Sequence, residues 1–276
     1  MKTFLVPTDF SDTAKNAARY AVHFAEQVEG SRVVLFHIYD RHGYGSDGTP
    51  LQVDEGAERN IAMAALNNHR SELLSGGANV QIDIMAHAGD FNQEVENAVS
   101  ELASDLVIMG INDSNKLDQL LIGSATLRFI KRHISPVMIV PENVEYRPIG
   151  QIAYASDLQQ VATTTPVSLI RSLCDTFHTP IQVVHSGERY IAHDREMLEK
   201  KLADCNPQFH FPAGDNFTDV LNDFIAANNI GLVVMVPRQH DFFENLFKRS
   251  HTQLMAYHSK VPIVAVHESL CEAQVL

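Results

Sequence analysis

Two glycines and two hydroxyl residues are the part of this 276-residue sequence best suited to chemistry. In the stretch VIMGINDSNKLDQLLIGSATLRFIKRHISPVMIV, Gly110 ends one apolar run and Gly123 precedes a helix-like one. A glycine at a strand end leaves room where a side chain would obstruct a ligand. Gly123, Ser124, Ala125 and Thr126 open a segment that reads as a helix from Ser124 to about His133. Unpaired backbone N–H groups and the helix dipole make such an N-terminus an anion site. The Ser124 and Thr126 hydroxyls add donors. No GxxxxGK[ST] is present, so this is not a Walker-type loop.

The elements that must position these residues repeat once along the chain. Short apolar runs, TFLVP (3–7), RVVLFHI (32–38), NVQIDIM (79–85), DLVIMG (105–110) and PVMIV (136–140), alternate with helical patterns. QIAYA (151–155), IQVVH (181–185), QFHF (208–211), GLVVMV (231–236) and PIVAV (262–266) follow in the same order. Runs this short and apolar suit parallel strands covered on both faces. PTDFS aligns with ASDLQ, pairing Asp9 with Asp157, and LFHI aligns with VVHS, pairing His37 with His185. HAGDFNQEV aligns with PAGDNFTDV. The repeat predicts two tandem domains, residues 1–145 and 146–276, joined near Glu142–Gly150. Each is expected to be α/β, a doubly wound five-stranded parallel sheet of Rossmann-like type with order 3-2-1-4-5 or the related 2-1-3-4-5. Residues 40–57 form an insertion rich in glycine and aspartate, read as a loop.

Ligands of open α/β sheets bind beyond the carboxyl ends of the strands where the order reverses. In the order 3-2-1-4-5 that point lies between the first and fourth strands, flanked by Asp9 and Gly110. With Gly110, Asp113 and Gly123-Ser124, the spacing resembles G-x2-G-x9-G-[ST], the ATP-binding signature of universal stress proteins. The opening FLVPTDFSDTAKNAARYAVHFA and the closing SPVMIVP are similar to that family as well. The resemblance covers nearly all of both halves and implies a tandem universal stress protein. It implies ATP in the first half, with Pro7, Thr8 and Asp9 beside ribose and adenine and Ile38 lining the adenine pocket. Met109 and Gly110 would touch the nucleotide through their backbone, and Gly123, Ser124, Ala125 and Thr126 would hold phosphates.

The departures from the signature carry as much weight. Asp113 replaces the middle glycine, and a carboxylate about 4 Å from a phosphate costs about 1 kcal/mol in water and about 4 kcal/mol at an effective dielectric of 20. A Mg2+ ion bridging Asp113 and phosphate would reverse that sign. In the second half Val236 aligns with Gly110, Gln239 with Asp113 and Arg249 with Gly123, which predicts no nucleotide there. Structural roles compete with these readings. Asp9 and Asp157 suit helix N-caps, His37 and His185 suit a shared structural contact, and the AGD turns at Gly89 and Gly214 suit a strand end and the cap of the next helix.

Formal charge is −13, from 21 basic and 34 acidic residues, which disfavours nucleic acid and anionic lipid as partners. No apolar run approaches a membrane span. Cys174, Cys205 and Cys271 are widely spaced without a CxxC pair, and no HxxxH or HExxH is present, so no metal is expected. The chain reads as soluble and cytoplasmic. The apolar fifth strands, PVMIV and PIVAV, are expected to cover one another within the chain as a pseudo-dimer, and two such chains have surface for a further homodimer. Three functions compete: a stress-associated regulator that binds an adenine nucleotide, a scaffold of the same fold with none, and an ATP-using enzyme. No SGGxxS loop, HxGH or nucleophile–base pair supports the enzyme.

Overall fold

The computed structural model of the chain describes residues 2–39, 43–44, 50–51, 55–111, 129, 135–185, 192–214, 217–236 and 259–272. In the first half β1 (Thr3–Pro7) leads through α1 (Asp12–Glu26) to β2 (Arg32–Tyr39). A short antiparallel ladder of β3 (Gly43–Tyr44) and β4 (Pro50–Leu51) precedes α2 (Glu55–Ser75). β5 (Gln81–Ala88), α3 (Phe91–Leu102), β6 (Leu106–Ile111) and β7 (Val137–Pro141) follow. The second half begins with β8 (Ile152–Ala155), α4 (Val161–Thr164), α5 (Val167–Phe177) and β9 (Ile181–Val184). It continues with α6 (Ala192–Lys201), β10 (Gln208–His210) and α7 (Phe217–Ala227). β11 (Leu232–Met235), β12 (Ile263–Ala265) and α8 (Glu268–Glu272) complete it.

These strands form one ten-stranded sheet in the order β10-β9-β8-β11-β12-β7-β6-β1-β2-β5. Counted within each half, the order is 3-2-1-4-5, and every pairing inside a half is parallel. The halves meet at an antiparallel pair, with Ile263 opposite Ile139, Val264 opposite Met138 and Ala265 opposite Val137. Joining two apolar fifth strands supplies hydrogen-bond partners that each would lack as an edge. All five residues of β7 are buried.

The third strand differs from expectation. Its apolar run predicts 79–85, and it spans Gln81–Ala88. Pairing with β2 continues through Ile38 opposite His87 and Tyr39 opposite Ala88, so the neighbour's length, and not the apolar run, sets its end.

Helix α1 is built for close approach. Ser11 caps it, its hydroxyl accepting from Ala14 N–H at 3.2 Å, and Ala14, Ala17, Ala18 and Ala21 lie buried along it. Phe24, fully buried, contacts Phe4 at 5.3 Å and Phe177 of α5 at 5.6 Å between ring centroids, so the aromatic packing crosses from one half to the other. The Asn16 amide donates to Pro141 O at 3.2 Å and Val144 O at 2.9 Å, tying the connecting segment to the same helix. The counterpart of α1 in the second half is interrupted between α4 and α5. Pro166 has no N–H to donate, and Thr165 before it takes an extended conformation, φ −100° and ψ 119°.

Candidate functional site

The order reversal falls between β1 and β6, which pair through Phe4–Leu106 and Leu5–Val107. On the β1 side the chain leaves the sheet by a tight turn. Thr8 N–H donates to Phe36 O at 2.8 Å, holding the turn on β2. The Thr8 hydroxyl accepts from Phe10 N–H at 3.1 Å, and Asp9 Oδ1 accepts from Ser11 N–H at 3.0 Å. Phe10 sits at φ 63°, a left-handed conformation that costs a non-glycine residue roughly 1–2 kcal/mol. The second half repeats the device. Ser156 Oγ accepts from Leu158 N–H at 3.1 Å, Asp157 Oδ1 accepts from Gln159 N–H at 3.0 Å, and Leu158 has φ 51°. Asp9 is therefore not the N-cap of α1. It stabilises the turn that delivers Ser11 to that position. Pro7 and Thr8 are buried, whereas Asp9 is exposed and its second carboxylate oxygen has no partner among the described residues.

His37 and His185 hold equivalent contacts. His37 Nδ1 lies 2.8 Å from Thr8 O and His185 Nδ1 lies 2.9 Å from Ser156 O. Each ring donates across to the carbonyl that begins the turn, which bears out the structural reading of this pair. Phe10 packs on the His37 ring at 4.7 Å and against His69 of α2 at 6.3 Å. The AGD reading also holds where it can be followed, since Asp90 caps α3 by accepting from Gln93 N–H at 3.1 Å.

His69 is buried, and that burial lowers its pKa below the ordinary 6.5; Lys15 and Arg19 push the same way while Glu72 opposes. A depressed histidine stabilises the fold fully above its unfolded pKa, and the contribution is lost as pH falls through the folded value. Stability is therefore expected to drop as pH falls below about 6.5. In His69→Leu part of that drop is expected to disappear, read as a shallower fall of the urea midpoint on acidification. Parallel curves for the two proteins would refute the assignment.

Gly110, on the other bank, has a reason internal to the protein. A Cβ built there would stand 2.5 Å from Thr13 O and 2.7 Å from Thr13 Cγ2. The first turn of α1 thus lies directly over the end of β6. The glycine thus has a reason within the protein's own packing, beside the room for a ligand expected from sequence. In the second half, where the helix is interrupted, the aligned residue is Val236, packed against the core. The Met109 side chain is likewise buried in the core, and Ile38 is half-buried at the end of β2. Asp113, Gly123, Ser124, Ala125 and Thr126 lie outside the described residues, as do Gln239 and Arg249.

Two partners were missed from sequence. Thr13 carries no motif and becomes visible only when α1 is placed on β6. Ser11 was legible, because it stands at the helix boundary, yet Asp9 drew the capping role on its residue type. Other chemistry is sparse. Burial pushes the Cys174 thiol up to about 12 and raises that of Cys205, keeping both un-ionised and poorly nucleophilic. Among the described residues no group of three His, Cys, Asp or Glu is placed to hold a metal ion, and no helix is long and apolar enough to cross a membrane.

The profile of the universal stress protein family matches residues 1–141. Universal stress protein MJ0577 of Methanocaldococcus jannaschii is 28% identical over 155 residues, covering 50% of this chain and 94% of its own. Universal stress protein MJ0531 of the same organism is 28% identical over 147 residues, covering 50% of this chain and 81% of its own. A crystal structure of a universal stress protein from Archaeoglobus fulgidus superposes over 96% of this chain and 98% of its own, with a TM-score of 0.70 at 16% identity.

Proposed function

The chain belongs to the universal stress protein family, and on that premise we propose that it is a stress-associated regulator that binds an adenine nucleotide, ATP, in its first half only. In this reading the chain comprises two domains, residues 1–145 and 146–276, of which only the first keeps a nucleotide site.

The observation that carries the reading is the placement of Asp9 at the order reversal, exposed and with one carboxylate oxygen unpartnered among the described residues. That oxygen suits a ribose hydroxyl or an adenine amino group. Pro7 and Thr8 fix the turn beneath it, and Ile38 supplies an apolar wall for the base. Met109 and Gly110 offer backbone. Gly123, Ser124, Ala125 and Thr126 would take the phosphates, and Mg2+ would set the sign of the Asp113 contribution.

Titrating ATP by calorimetry, with and without Mg2+, tests the proposal. Hydrogen bonds to charged groups are worth about 1.5–3 kcal/mol, so Asp9→Ala is expected to weaken ATP roughly 10–100-fold. Asp157→Ala removes the equivalent turn bond in the second half and is expected to leave the affinity unchanged. Gly123→Arg is expected to abolish binding. Equal losses from the Asp9 and Asp157 variants would reduce the effect to the shared turn and remove the ligand role.

A second reading is favoured by two observations: the Asp9 turn is duplicated around Asp157, and Gly110 is explained by its contact with Thr13. On that reading the chain is an interaction scaffold without a nucleotide. Absence of ATP binding in the wild type, and in Asp113→Gly, would select it.

A further inference from the structure

Two of the three cysteines meet at the joint between α5 and β10, the edge strand of the second half. Cys174 stands in the last turn of α5, and Cys205 ends a one-turn 3-10 helix, Ala203–Cys205. Both are buried, 6% and 4% exposed, and their thiols interact directly. Arg171 fixes the approach. It stands one turn before Cys174, on the same face of the helix. Its guanidinium donates to Lys201 O at 3.2 Å and pairs with Asp204 Oδ2 at 3.1 Å. Asp204, next to Cys205, is thus tied to α5 as well. Asn206, at φ 47°, then turns the chain into β10.

The duplicated half supports the same geometry. Counted from the paired strands, Cys174 takes the place of Glu26 and Asp204 that of Asn79. There the Glu26 carboxylate accepts from Asn79 N–H at 3.1 Å. The end of a helix and the approach to the third strand therefore meet in both halves. The first half joins them by a hydrogen bond, and the second sets two thiols at the joint. This joint lies at the amino ends of the parallel strands, opposite the turns at Asp9 and Asp157.

We propose that Cys174 and Cys205 form a reversible disulfide on exposure to hydrogen peroxide, a covalent latch between α5 and β10. The Cys205 thiolate attacks one peroxide oxygen and the O–O bond breaks. Cys205 becomes a sulfenic acid, and the leaving oxygen takes up the thiol's proton and departs as water. The Cys174 sulfur then attacks the sulfenic sulfur, the S–O bond breaks, and the Cys174 proton leaves with that oxygen as a second water. Two thiols lose two electrons, and one peroxide is reduced to two waters. The order of attack follows from the surroundings. Burial pushes Cys174 up to about 12, with Cys205 and Asp175 adding to it. Burial also raises Cys205, but there the Cys174 thiol and Arg171 pull back, against Asp175 and Asp204. The thiolate is the nucleophile, so reaction is slow at neutral pH and the latch answers sustained oxidant. It stands independently of the nucleotide reading.

The test treats the full chain with hydrogen peroxide, alkylates it in denaturant with N-ethylmaleimide and maps its peptides by mass. Alkylated cysteines are expected to fall from three to one, Cys271, with Cys174 linked to Cys205 and dithiothreitol restoring all three. The same treatment of the chain unfolded in urea is expected not to favour this pair. In Cys174→Ala, dimedone is expected to label Cys205, whereas Cys174 in Cys205→Ala stays unlabelled. The urea midpoint of the oxidised wild type is expected to rise, because a closed loop restricts the unfolded chain. Three alkylated cysteines after peroxide, linkage through Cys271, equal pairing in folded and unfolded chains, an unchanged midpoint, or dimedone on Cys174 alone overturns the proposal. The peptide map of the wild type decides even where a variant fails to fold.

Discussion

Gly110→Val is expected to destabilise the protein by about 3 kcal/mol or more, at or beyond the top of the usual range for overpacking. The three atoms nearest to a Cβ at this position are Thr13 O at 2.5 Å, Thr13 Cγ2 at 2.7 Å and the Thr13 carbonyl carbon at 2.9 Å. Two of the three are backbone in the first turn of α1, and no rotamer change moves them. Relief requires lifting the helix start off β6, which would disturb the Ser11 cap and the turn at Asp9 together. Thr13→Ala removes only the methyl contact and is expected to rescue little. The urea midpoint of each variant reads the effect. An unchanged midpoint in Gly110→Val would show that α1 yields easily and would return the glycine to a purely ligand-based explanation. Loss of ATP binding in this variant says nothing about contact with ATP, which is why Asp9, with Asp157 as its control, is the more informative position.

Phe24→Ala is expected to cost about 3–5 kcal/mol, the range for truncating a fully buried aromatic ring. The side chain has no exposed surface and joins Phe4 beneath it to Phe177 of the other half. The loss is therefore expected to spread beyond the first half. Amide hydrogen exchange in β8 and β11 should accelerate along with that in β1 and β6. Faster exchange confined to the first half would mean that the shared sheet and the Phe24–Phe177 contact do not couple the halves energetically.

How far the fold was legible follows from what sets each feature. Helix-covered parallel strands must be apolar on both faces, so their runs stand out, and most observed strands begin or end within a residue or so of their apolar runs. β5 departs because its last residues, Ala86, His87 and Ala88, are held by pairing with β2 and by no apolar signal of their own. The repeat exposed the paired turn residues Asp9 and Asp157, and His37 and His185, because duplication preserves a local hydrogen-bond pattern. It did not separate capping from turn formation at Asp9, because an aspartate accepts backbone N–H groups equally well in either place.

By itself the sequence determined the family, the alternation of strands and helices, and the duplication. These follow from periodicity and motif spacing, which are properties of neighbours along the chain. Only the tertiary structure decided why position 110 is glycine and which helix bridges the two halves. Those facts depend on atoms far apart in the chain coming within a few ångströms, and close contact of that kind leaves no periodic trace in the order of residues.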